Sequence, residues 1–107
     1  MAIANSGGIR ADLPAGPLTF GRLYAVTPFD NREMTLTLTG GELRAMIANN
    51  LQQRGSLMLL SGVRATAECT SGRLRVTIRR ESGRTVTDTD RLRVATSDFL
   101  VEGGDGF

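Results

Sequence analysis

The stretch from Met34 to Glu42 commits the chain to two elements with no spacer between them. Met34-Thr35-Leu36-Thr37-Leu38-Thr39 alternates apolar and polar residues at a period of two, the pattern of a strand with one buried and one wet face. Thr39-Gly40-Gly41-Glu42 follows at once and has capping-box spacing, in which the Thr hydroxyl and the Glu carboxylate each take up an orphan amide at a helix start. The helix it opens carries Leu43, Met46, Ile47 and Leu51 at steps of three and four, ending near Arg54-Gly55. A strand that turns directly into an amphipathic helix must bury both apolar faces against other elements of the same chain.

Those elements are legible on either side. Ala2–Asn5 reads as a short strand running into Ser6-Gly7-Gly8, where two glycines permit positive φ and close approach. Pro14, Gly16 and Pro17 enforce a loop, Thr19 caps a short helix over Phe20–Val26, and Pro28 ends it. Leu57–Leu60 reads as a strand, Ser61-Gly62 as a bend, and Val63–Ala67 as a further strand. Thr70-Ser71-Gly72 makes a turn into Arg73–Arg79, with Leu74, Val76 and Ile78 inward and the arginines outward. A turn at Glu81-Ser82-Gly83 and a polar loop at Thr87–Asp90 lead to a last strand, Leu92–Thr96. With 107 residues there is room for one core. The order predicts a single α+β domain, a mixed β-sheet with helices packed mainly on one face.

Two absences narrow the chemistry. The chain has no His, which removes Ser-His-Asp and Cys-His catalysis and His-ligated metals. It has one Cys, Cys69, so no internal disulfide and no thiolate zinc site can be built; Cys69 reads as a small hydrophobe or a bystander at a strand end. A net charge of +2 does not argue for nucleic acid or a charged membrane, and no apolar run is long enough to span a bilayer. Any chemistry this chain joins is supplied with binding groups rather than reacting ones.

Several clusters can bind. Asn5-Ser6-Gly7-Gly8-Ile9-Arg10 offers backbone amides and a guanidinium to an anion, or is simply a tight turn with a solvated Arg. Pro28-Phe29-Asp30-Asn31 sets a ring beside polar groups that can read the edge of a stacked heterocycle, unless the ring tucks into the core. Asp98-Phe99-Leu100 and Gly103-Gly104-Asp105-Gly106-Phe107 present a carboxylate on a glycine-rich loop; one acidic residue is too few for calcium. Arg73, Arg75 and Arg79 with Arg80 make a basic strand face that no aromatic residue interleaves, so a solvated face fits better than an RNA platform.

Taken in order, Asn5-Ser6-Gly7-Gly8-Ile9-Arg10, Leu23-Tyr24-Ala25-Val26 before Pro28-Phe29-Asp30-Asn31, Leu36–Gly40 before a helix, and Arg93–Leu100 before Gly-Gly-Asp-Gly-Phe resemble the C-terminal domain of the 5′-nucleotidase family, across essentially the whole chain. The resemblance implies a substrate-binding half of a metal-dependent phosphohydrolase that cleaves nucleoside 5′-monophosphates, with UDP-sugars, cyclic nucleotides or NAD as alternative substrates. A non-catalytic, Arg-rich binding module is the alternative of another class. It further implies that Phe29 and Phe99 sandwich the base, that Asp105 accepts the ribose hydroxyls, that Asn5 and Asn31 contact base or sugar, and that Arg10 helps to hold phosphate. Gly7 and Gly8 would give close approach, and Gly104 with its neighbours would shape the ribose loop. By the same resemblance the partners are a nucleoside or nucleotide and an N-terminal metallophosphoesterase domain holding two divalent metals, with no cofactor in this chain itself. The chain then reads as a domain truncated at both ends, inactive alone, from a periplasmic, secreted or cell-surface protein. Asp30 and Ser6 stand where family members commonly have Gly.

Overall fold

The computed structural model describes residues 1–53 and 55–107; Arg54, near which the longer helix is expected to end, lies outside the described residues. The elements run β1 Ala2–Asn5, α1 Phe20–Val26, β2 Glu33–Thr39, α2 Gly40–Gln52, β3 Met58–Ser61, β4 Val63–Thr70, β5 Arg73–Arg80, β6 Arg91–Ser97 and α3 Asp98–Val101, with 3-10 turns at Ser6–Gly8 and Gly104–Gly106. Four strands form a mixed sheet in the order β2-β6-β1-β3, in which β1 runs parallel to β6 and the other pairs are antiparallel. Strands β4 and β5 form a separate two-stranded ribbon, so the expected mixed sheet is accompanied by a second, smaller one. The two-residue turn between them, Ser71-Gly72, has φ of 51° and 75°, the left-handed pair that matches the twist of a tight hairpin.

The alternation in β2 decides which side is covered. Leu36 and Leu38 pair across the ladder with Val94 and Leu92, so all four stand on one face, and Thr35, Thr37 and Arg93 stand on the other. α2 covers the apolar face with Leu43 and Ile47, and the ribbon closes over α2 with Val76 and Ile78. α3 adds Leu100 on that same face. The fully buried set of Leu43, Ile78, Val86 and Val94 thus joins helix, ribbon, loop and sheet. Met46 is half-buried and Leu51 is exposed, so the sequence stripe on α2 is apolar over a wider arc than the core uses.

The capping box forms as the sequence predicts. Thr39 Oγ1 accepts from the Glu42 amide at 3.1 Å, and Glu42 Oε2 accepts from the Thr39 amide at 2.7 Å. The Thr39 backbone N–H, and then its hydroxyl, hold the Glu42 carboxyl below the ordinary carboxylate value. Gly40 is needed where α2 starts, since a Cβ there would sit 2.7 Å from Val86 Cγ1 and overlap the Thr87 backbone. Arg44 staples the same region: its Nε donates to the Val76 carbonyl, one Nη donates to the Val86 carbonyl, and the other pairs with Asp88. α1 buries nothing. Phe20 stacks on Tyr24 with ring centroids 5.7 Å apart, and the excursion that carries them is tied at its base by the Arg10 amide donating to the Val26 carbonyl at 2.8 Å.

Candidate functional site

The C-terminal ends of β1 and β6 meet one end of the sheet, and three loops converge there. From β1 comes the Ser6–Gly8 turn; from the chain after α1 comes Phe29–Asn31; from α3 and beyond come Phe99 and the Gly103–Gly106 loop. Together they enclose a cavity of about 260 Å³ lined by Asn5, Gly7, Gly8, Arg10, Phe29, Asn31, Ser56, Phe99 and Asp105. That volume is just below the roughly 300 Å³ at which small-molecule sites usually begin. A neighbouring depression of about 330 Å³ shares Asn5, Gly8, Phe29 and Asn31 with it and extends toward Thr27 and Leu59. A larger, more open depression, about 810 Å³, lies between α2 and β5 and holds none of these residues.

Both phenyl rings are half-exposed, Phe29 at 46% and Phe99 at 41%, so neither is tucked into the core. They face one cavity rather than packing on each other, the stacked ring pair being Phe20–Tyr24. Phe29 is set by a tight turn in which its amide donates to the Thr27 carbonyl at 2.8 Å. Gly104 does not line the cavity. It lies directly against Phe99, where a Cβ would fall 2.5 Å from Cζ and 2.6 Å from Cδ1, so its missing side chain is what lets the ring take its place.

Asp105 stands in the left-handed region at φ 56°, between Gly103 at 89° and Gly106 at 76°. Asp is among the few non-glycine residues that tolerate this geometry. The turn aims its carboxylate back at β1, where Asn5 Nδ2 donates to Asp105 Oδ2 at 2.5 Å. One carboxylate oxygen is therefore held by the amide, and the other remains for two hydroxyl donors. Of the two things a glycine pair permits, positive φ and close approach, Gly7 and Gly8 use the second: neither is among the positive-φ residues. Their role is space. A Cβ on Gly7 would lie 3.3 Å from Ser56 Oγ, and one on Gly8 would lie 3.1 Å from Asn5 Oδ1. Arg10 lines the cavity with an exposed guanidinium, one Nη reaching the Gly7 carbonyl at 3.5 Å. Asp30 is exposed and outside the cavity lining.

Ser56 is the lining residue that the sequence reading missed. Its hydroxyl accepts from the Gly7 amide at 2.9 Å and meets Ser6 Oγ at 3.2 Å, and Ser6 Oγ accepts from the Leu57 amide at 2.9 Å. Asn50, at the end of α2, fixes this loop by donating to the Ser56 carbonyl and accepting from the Met58 amide. Of the two hydroxyl protons, one joins the serine pair and one is left free. No motif marks Ser56; only its place before β3, which pairs with β1, brings it to the glycine turn.

The sequence model of the 5′-nucleotidase C-terminal domain matches residues 1–107. The chain belongs to the 5′-nucleotidase C-terminal domain family. It is 33% identical over its whole length to the trifunctional nucleotide phosphoesterase protein YfkN of Bacillus subtilis, of which it spans 8%. It is 30% identical over 99% of its length to the cell wall protein Lmo0130 of Listeria monocytogenes, of which it spans 15%. The solved 5′-nucleotidase precursor of Thermus thermophilus superposes with a TM-score of 0.77 at 34% identity, over 98% of this chain and 22% of that one. The chain thus spans a small part of the relatives it matches.

Members of such a family imply metal ions, and the residues here do not fit a two-metal centre. The chain has no His, and among the described residues no three His, Cys, Asp or Glu side chains come together. Among the described residues no helix is long and apolar enough to cross a membrane. The arginines of β5 do not line the cavity: Arg73, Arg75 and Arg79 are exposed on the ribbon and Arg80 is half-buried, and Cys69 is exposed near the end of β4.

Proposed function

We propose that this chain is the nucleoside-recognising domain of a nucleotide phosphohydrolase. The observation that carries the reading is the pair of half-exposed rings, Phe29 and Phe99, facing one cavity with the Asp105 carboxylate at its edge. A flat heterocycle between the rings gains about 1–3 kcal/mol per aromatic contact. Asp105, already oriented by Asn5, accepts from the paired ribose hydroxyls, and a charged acceptor is the stronger partner for O–H donors. Asn31 and Ser56 can donate to the base edge, and Arg10 stands at the rim where a 5′-phosphate would emerge. Hydrolysis itself belongs to a separate metallophosphoesterase domain with two divalent ions, for which the described residues of this chain offer no ligand set. Relatives named as a phosphoesterase and a cell wall protein support a hydrolase working outside the cytoplasm, in the periplasm, secreted or at the cell surface.

Titration of the isotope-labelled chain with adenosine tests this. Saturable shifts confined to Phe29, Asn31, Phe99 and the Gly103–Phe107 loop are the expected result. No perturbation at millimolar adenosine would refute it. The same titration with uridine and cytidine ranks the bases, and with NAD or a nucleotide sugar it separates the substrate classes by whether the extra group is tolerated at the Arg10 rim.

A further inference from the structure

β6 ends at Ser97 and α3 begins at Asp98, at the end of the ladder with β2. The last regular pair is Glu33 with Ser97, so Arg32 and Asp98 would form the next. A continued antiparallel pair would exchange two backbone hydrogen bonds. One of them forms: the Asp98 amide donates to the Arg32 carbonyl at 2.9 Å. The other is unavailable, because the Asp98 carbonyl has turned into the helix and accepts from the Glu102 amide. The side chain takes its place. Asp98 Oδ1 accepts from the Arg32 amide at 3.0 Å and from the Phe99 amide at 2.9 Å.

One oxygen atom therefore joins the backbone that follows Phe29-Asp30-Asn31 to the backbone that carries Phe99. We propose that Asp98 is a positioning residue that sets the gap between the two rings, a role that rests on the nucleoside reading above. It does not line the cavity itself. It lets β6 turn into α3, which swings Phe99 to the cavity, without releasing the loop that brings Phe29 from the other side. The residue type follows: Asn carries the same Oδ1 at the same reach, whereas Glu carries its oxygen one bond too far to meet both amides.

Asp98→Asn and Asp98→Glu separate position from charge, since the first keeps the acceptor and the second keeps the carboxylate at the helix start. Adenosine titration and amide hydrogen exchange are read on the wild-type chain and both variants. D98N is expected to bind within about twofold of wild type with the Arg32 amide still protected. D98E is expected to bind about tenfold more weakly, with faster exchange at Arg32 and shifted Phe29 and Asn31 signals in the ligand-free protein, while the core amides of Leu43 and Val94 keep their protection. D98E behaving as wild type, or D98N weakening as much as D98E, overturns the positioning role. Wild type failing to bind adenosine overturns the nucleoside reading instead, and exchange at Arg32 still reports whether the tether exists.

Discussion

Replacing Gly104 with Ala tests whether the cavity depends on the placement of Phe99. The added Cβ would lie 2.5 Å from Cζ and 2.6 Å from Cδ1 of that ring. Carbon atoms rest at about 3.5–4.0 Å, so the ring must recede by roughly 1 Å or more. Overpacking of this kind costs about 1–3 kcal/mol. Phe99 is 41% exposed and can swing outward, which puts the expected cost near the low end, about 1 kcal/mol. For a domain of this size that lowers the melting temperature by about 4–8 °C. The larger effect falls on binding, because the displaced ring no longer stacks; adenosine affinity is expected to drop about tenfold, equivalent to about 1.4 kcal/mol. Gly21→Ala is the control: a Cβ in that exposed turn of α1 meets nothing within 4 Å. It is expected to leave affinity unchanged and to stabilise slightly through helix propensity, by up to about 1 kcal/mol. G104A melting and binding like wild type would refute the reasoning.

Phe29→Ala and Phe99→Ala should each weaken adenosine by about 5- to 150-fold in calorimetry, with little change in melting because both rings are half-exposed. Asp105→Ala should abolish the preference for adenosine over its 2′,3′-dideoxy analogue, a comparison that isolates the hydroxyl contacts from stacking. Leu43→Ala empties the middle of the core and should cost about 2–5 kcal/mol in denaturant unfolding. Glu42 supplies a pH signature: its carboxyl is held below the ordinary carboxylate value, chiefly by the Thr39 amide. The stability it contributes is complete above that ordinary, unfolded-chain value and is lost as pH falls through the lowered folded value, so Glu42→Gln should flatten the acid limb of a pH-stability curve.

The local elements were written plainly in the sequence because their signals are local. Thr19 and Pro28 bracket α1, the Thr39–Glu42 box starts α2, and Ser71-Gly72 closes the ribbon, each within a few residues. Sheet order was not legible. Nothing in Ala2–Asn5 states that it lies parallel to β6 or antiparallel to β3, because those partners are chosen by burial across the whole chain. The same division holds at the site. Eight of the nine residues named by resemblance line one cavity, and the ninth, Gly104, supports Phe99 from behind. Ser56 escaped notice because a lone serine before a strand carries no pattern, and its relevance arises only through the β1–β3 pairing. The Gly7-Gly8 pair permits unusual dihedrals or close approach, and only the folded chain shows which: neither has positive φ, and both stand where there is little room beside Ser56 and Asn5.

The hydrogen bond from Asn5 to Asp105 spans 100 positions of the chain. Under the proposed reading, the two sides of the recognition surface come from positions that far apart, so they meet only once the sheet between them has formed. Cutting the Gly103–Gly106 loop away from β1 would therefore silence nucleoside recognition while sparing the α2–ribbon interior.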